Sequence, residues 1–103
     1  MAVSIDLSNP DRPVLVLSGE IDLACADEVA DAGVNLLHKA PDAARIVIDM
    51  GAVEFLDSSG LSALLQVRRA AAVDGVEVAL RDVTKPVGML LRLTGVEELF
   101  AAE

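Results

Sequence analysis

The chain has 103 residues, 53% hydrophobic and 24% charged, with eight Lys and Arg against 17 Asp and Glu and a net charge of −9. The hydrophobic share excludes a disordered chain, and the acidity excludes nucleic acid or an anionic membrane as partner, because nothing here neutralises a row of phosphates. The lone Cys25 excludes disulfide scaffolds, cysteine zinc sites and CxxC redox chemistry, and it fits a reducing cytoplasm.

The length predicts a single domain over residues 1–103, with an aliphatic core in which Phe55 and Phe100 are the only aromatics. No apolar run approaches the roughly 20 residues of a membrane span. Met1 to Asp11 lacks a basic segment followed by an apolar one, so no secretory signal is expected. Val3, Ile5 and Leu7 alternate with polar residues, which predicts a half-buried strand. Asn9-Pro10-Asp11 is turn chemistry. Val14 to Leu17 is a continuous apolar run suited to a sheet covered by helices, and Gly19-Glu20 is expected to close it.

Asp22 is a candidate N-cap for a helix whose stripe is Ala26, Val29, Ala30, Gly33, Leu36 and Leu37, running to about His38. Pro41-Asp42 breaks it, and Ile46-Val47-Ile48 reads as a central strand. Leu61, Leu64, Leu65 and Ala72 predict a helix from about Ser58 to Val73, stopped by Asp74-Gly75. Val76, Val78 and Leu80 give another strand. Thr84-Lys85-Pro86 opens a third helix with Val87, Leu90, Leu91 and Leu93 as its apolar side. Thr94-Gly95 stops it, and Val96 to Phe100 forms a final turn. Strand–helix–strand units in this order predict an α/β fold with right-handed crossovers and a mainly parallel or mixed sheet.

Little of the chain looks catalytic. The single histidine, His38, sits near a helix end and reads as a surface residue. There is no Gly-x-Ser-x-Gly elbow, no Walker lysine loop and no GxGxxG. Asp27, Glu28 and Asp31 read as a solvated helix face rather than metal ligands. The strongest signal is Asp57-Ser58-Ser59-Gly60, two hydroxyls at a helix N-terminus behind a capping carboxylate. One reading is an ordinary capped helix. The other is a phosphorylation site, where a charge of about −1.5 to −2 would sit beside the positive helix end and among Asp57, Glu54 and Asp22. Gly19-Glu20-Ile21-Asp22 is either a turn with a cap or a neighbour of that serine turn, since loops at the carboxyl ends of parallel strands share one rim.

These segments resemble the anti-sigma factor antagonists of the bacterial STAS-domain family. Gly19-Glu20-Ile21-Asp22 is similar to the family's GE-hydrophobic-D element, and Val53 to Leu61 to its signature around a phosphorylated serine. Val87 to Phe100, with Leu93-Thr94-Gly95-Val96, is similar to its closing helix. The resemblance implies a roughly four-stranded mixed sheet flanked by helices, and phosphorylation on Ser59, with Ser58 as the neighbouring alternative. It implies a partner surface around Asp22, Asp57, Ser58 and Gly60, and no catalytic residue, metal or cofactor of the chain's own. The implied partners are an anti-sigma factor that is a serine kinase using ATP, and a PP2C-type phosphatase. Two departures stand out: Cys25 where relatives often carry Thr or Ser, expected to weaken a polar contact, and Ser62, a third hydroxyl where Gly is frequent. A non-switching STAS subunit docked on a transporter or its ATPase is the alternative of the same fold. A small hydrolase using Ser58 or Ser59 is the alternative of a different class.

Overall fold

The computed structural model describes residues 2–103. Strands β1 (Ala2–Asp6), β2 (Val14–Ile21), β3 (Arg45–Leu56), β4 (Glu77–Arg81) and β5 (Ala101–Ala102) form one sheet in chain order. β1 pairs antiparallel with β2, and every later pairing is parallel. Helices α1 (Ala26–Lys39), α2 (Ser58–Val73) and α3 (Lys85–Leu93) make the parallel crossovers. A one-turn 3-10 helix, Glu97–Leu99, leads into β5. The expected α/β class and mixed sheet hold. The sheet has five strands rather than four, because two residues after Phe100 pair with Ala79 and Leu80.

Strand order follows chain order, so each right-handed crossover steps the same way and lays its helix on the same face. Burial agrees with this. Leu15, Leu17, Ile46, Ile48, Met50, Val78 and Leu80 project from one side of the strands into a single core with Val29 and Leu36 of α1, Leu64 and Val67 of α2, and Val87 and Leu91 of α3. Each such fully buried aliphatic side chain stabilises the fold by about 1.5–3 kcal/mol. The apolar run Val14 to Leu17 is therefore split between two faces rather than buried under helices on both.

The other face carries a short apolar row, Val14–Val47–Ala79, edged by charge. Arg45 pairs with Glu77 and Glu103, Arg12 with Glu103, and Arg81 with Asp49 at 2.8 Å. The Arg81 guanidinium bonded to Asp49 holds that carboxyl below the usual range against the opposing effect of burial, and the Gly51 N–H adds to the lowering.

Several boundaries differ from expectation. β2 continues past Gly19, which adopts φ 80° where the register with β3 shifts. A left-handed residue at such a bulge suits glycine, so this glycine bends the strand instead of ending it. β3 runs from Arg45 to Leu56, well beyond the Ile46-Val47-Ile48 segment expected for it. Leu93 is 80% exposed, because α3 turns its stripe through Val87 and Leu91 and leaves Leu93 off it. Thr84 occupies the N-cap position of α3, but its hydroxyl donates to the Val53 carbonyl at 3.5 Å and makes no cap bond.

Candidate functional site

The serine turn begins where β3 ends. Asp57 is the N-cap of α2, with extended backbone, and its Oδ1 accepts the Gly60 N–H at 3.0 Å. Its carbonyl starts the helix by accepting the Leu61 N–H at 2.9 Å. Ser58 and Ser59 are thus the first two helical residues, Ser58 exposed and Ser59 half-buried. The predicted start and end of this helix hold.

Gly60 is buried and tightly opposed. A Cβ there would lie 2.5 Å from the Ile21 carbonyl oxygen and 2.6 Å from Leu56 Cδ1. The first turn of α2 therefore rests directly on the end of β2. The Asp57 N–H also donates to the same Ile21 carbonyl at 3.3 Å. These contacts place the Asp22 loop beside the serine turn, as the shared-rim argument anticipates.

Asp22 does not cap α1. The cap position is Cys25, three residues later, and it makes no side-chain cap bond. Asp22 instead closes its own turn: Oδ1 accepts the Ala24 N–H at 3.0 Å, and its carbonyl accepts the Cys25 N–H at 3.1 Å. The chain needs one more turn before it can start the helix, and a carboxylate bonding two residues ahead favours that turn. The buried Cys25 Sγ accepts the Asp22 N–H at 3.3 Å and lies 3.5 Å from the Glu20 carbonyl. The thiol thus bonds into the Asp22 turn at the longer reach of sulfur.

The rim so formed is acidic. Glu20 and Glu54 are exposed, and Asp22 and Asp57 half-buried. Among the described residues none of these four carboxylates is in an ion pair. The adjoining β4–α3 connection adds Asp82 and Lys85. Two apolar side chains also stand out of this rim, Leu23 at 78% and Phe55 at 50% exposure. Sequence reasoning did not single them out. The available signal was that Leu23 falls outside the helical stripe that starts at Ala26, and that Phe55 lies between the inward-facing Val53 and Leu56. Ser62 is exposed on α2, farther from the turn.

The serine turn lies on an outer surface. A cavity of about 560 Å³ lies elsewhere, between α3 and β5, lined by Leu80, Thr84, Leu91 and Phe100 with Arg92 and Glu103; neither serine lines it. His38 is exposed in the last turn of α1, at the opposite end of that helix from the Asp22 loop. Among the described residues no helix is long and apolar enough to cross a membrane.

Solved structures share this fold. An anti-sigma factor antagonist from Mycobacterium paratuberculosis is 25% identical, with 98% of this chain and 83% of that one covered and a TM-score of 0.82. The anti-sigma factor antagonist SpoIIAA in its unphosphorylated form is 17% identical, with 99% and 88% covered and a TM-score of 0.81. The phosphorylated form of the Bacillus protein gives 17% identity, 99% and 91% coverage and 0.72. A sulfate transporter family protein from Wolinella succinogenes is 17% identical, with 85% and 70% covered and a TM-score of 0.73. Residues 5–101 match the family model described as Mlab, STAS domain, and with nearly the whole chain inside that match, this protein belongs to the STAS-domain family.

Proposed function

We propose that the chain is an anti-sigma factor antagonist that acts by partner switching. The unmodified protein binds an anti-sigma factor that is also a serine kinase, which frees a sigma factor for transcription. The kinase uses ATP to phosphorylate Ser59, the modified antagonist dissociates, and a PP2C-type phosphatase resets it. Such a module is a binding protein of the cytoplasm rather than an enzyme, serving stress-response or sporulation programmes.

The observation that carries this reading is the pair of hydroxyls opening α2 on a rim of carboxylates that make no ion pair among the described residues. A phosphate of about −1.5 to −2 on the half-buried Ser59 must be desolvated when a partner closes over it, and it crowds against Glu20, Asp22, Glu54 and Asp57, which already claim that partner's positive charges. A loss of about 3 to 4 kcal/mol weakens binding several-hundred-fold, enough for a switch. The likeness to proteins named as antagonists, one of them solved with and without phosphate, supports it.

The test is intact-mass analysis of protein from its native cells, with peptide mapping to separate Ser59 from Ser58, followed by binding to the co-purified kinase. Ser59→Ala should stay bound in ATP, and Ser59→Asp should bind poorly. Release of Ser59→Ala by ATP as readily as wild type would show that Ser59 is not the switch.

A second reading has its own support in the likeness to a sulfate transporter family protein. In it the chain is a constant subunit docked on a transporter or its ATPase. A stable complex with transport proteins, indifferent to Ser59→Asp, would favour it.

A further inference from the structure

We infer that Leu23 and Phe55 are the apolar anchors of the docking rim, and that the partner is a protein presenting apolar sockets within a basic surface. The inference rests on the antagonist reading above and adds what the partner must look like.

Both side chains are held out of the core by fixed backbone. Leu23 sits inside the turn closed by Asp22 Oδ1 to the Ala24 N–H, the Asp22 N–H to Cys25 Sγ, and the Cys25 N–H to the Asp22 carbonyl. Phe55 is on β3, directly opposite Glu20 of β2. An apolar group already fixed in an exposed position loses little conformational freedom on binding. Exposed apolar side chains bounded by polar ones mark interaction sites. The bounding groups here are Glu20, Asp22, Glu54 and Asp57, with Asp82 and Lys85 alongside offsetting each other, so the rim is net acidic and the complementary surface is cationic. A second copy would bring the same carboxylates face to face, and nucleic acid or an anionic membrane would bring phosphates. The other exposed apolar residues lie away from the serine turn: Met89 and Leu93 are on α3, Val73 ends α2, and Leu7, after β1, and Leu99, before β5, are at the opposite end of the parallel strands.

The experiment uses the full chain as bait in its native cells, with the recovered partner identified by mass, purified alone, and titrated by calorimetry. Leu23→Ser and Phe55→Ser should each weaken binding roughly tenfold or more. Val73→Ser, the control at an 85% exposed position, should stay within about twofold. Affinity should fall as salt rises. Wild-type affinity in Leu23→Ser and Phe55→Ser overturns the anchors while leaving the switch intact, provided Ser59→Asp still fails to bind. Binding that ignores salt, or a partner with an acidic contact surface, overturns the cationic assignment. Recovery of no partner overturns the docking surface altogether. Full affinity in Ser59→Asp overturns the switch alone.

Discussion

Gly60→Ala tests how the serine turn is held. The added methyl would stand 2.5 Å from the Ile21 carbonyl oxygen, 2.6 Å from Leu56 Cδ1 and 2.9 Å from Ile21 Cγ2. Leucine can rotate away, but a backbone carbonyl inside a paired strand cannot, so the first turn of α2 must lift off β2. Overpacking of this kind costs about 1–3 kcal/mol. Alanine's better helix propensity returns at most about 1 kcal/mol. The net expectation is a loss of about 1–2 kcal/mol, read as a fall of roughly 5–10 °C in melting temperature for a chain this size. Urea unfolding should show a lower midpoint at unchanged slope, and amide exchange should be faster at Asp57, whose N–H donates to Ile21. A Gly60→Ala protein as stable as wild type would refute the claim that α2 is seated on the end of β2.

Asp57→Ala removes the bond to the Gly60 N–H and should cost about 0.5–2 kcal/mol in urea unfolding, whereas Asp57→Asn, still able to cap, should cost less. Gly33→Ala places a Cβ 2.4 Å from Val67 Cγ2 at the α1–α2 crossing; it should destabilise, and Val67→Ala in the same chain should relieve part of the cost, giving a non-additive double-mutant cycle. Asp49 has its carboxyl held below the usual range by Arg81, so its contribution is present above that range and lost as pH falls through the lowered value. Asp49→Asn should therefore be less stable near neutrality by no more than about 1 kcal/mol, given the partial exposure of both partners, with the gap closing below about pH 4. Ser59→Asp should leave the unfolding midpoint within about 0.5 kcal/mol of wild type, because a negative charge in the first helical turn is tolerated by the dipole; a loss of several kcal/mol would mean the charge acts by unfolding the turn.

The order of elements was legible because period and punctuation agree along most of the chain. α2 could be placed from Ser58 to Val73 because Asp57 is a strong cap and Asp74-Gly75 a strong stop. The rest depended on information that is not local. β3 looked as though it ended near Ile48, since Gly51 and the spacing of Val53 and Leu56 break a two-residue alternation. The irregular β2–β3 register supplies the missing phase shift, and only the paired strand reveals it. Asp22 matched the composition of a cap but bonds two residues ahead, because α1 starts at Ala26, where its stripe does, and that leaves Asp22 three residues short of the cap position at Cys25. Leu93 looked buried because a leucine-rich helix of nine residues allows more than one stripe, and the packing of Val87 and Leu91 chooses between them. For the site, the nearness of Asp22 to Asp57 followed from parallel order alone. The contact that fixes it, through the Ile21 carbonyl, has no sequence signature, because it is made by backbone.

That backbone contact separates two requirements a serine switch must meet. The turn has to stay folded whatever its charge, and the charge has to be visible to a partner. Below the rim, Asp57 uses one carboxylate oxygen to cap Gly60, and Gly60 and the Asp57 N–H meet the Ile21 carbonyl; none of this uses a serine hydroxyl. Above it, Ser58 and Ser59 open the helix at its positive end, among carboxylates that make no ion pair with any described residue. A charge added there meets a favourable dipole from its own helix and an unfavourable field from the surface. The free energy of the added charge is then felt mainly when a second surface approaches and excludes water. A domain of this size, with about 5–15 kcal/mol of total stability, has little room for a switch that works by breaking its own packing.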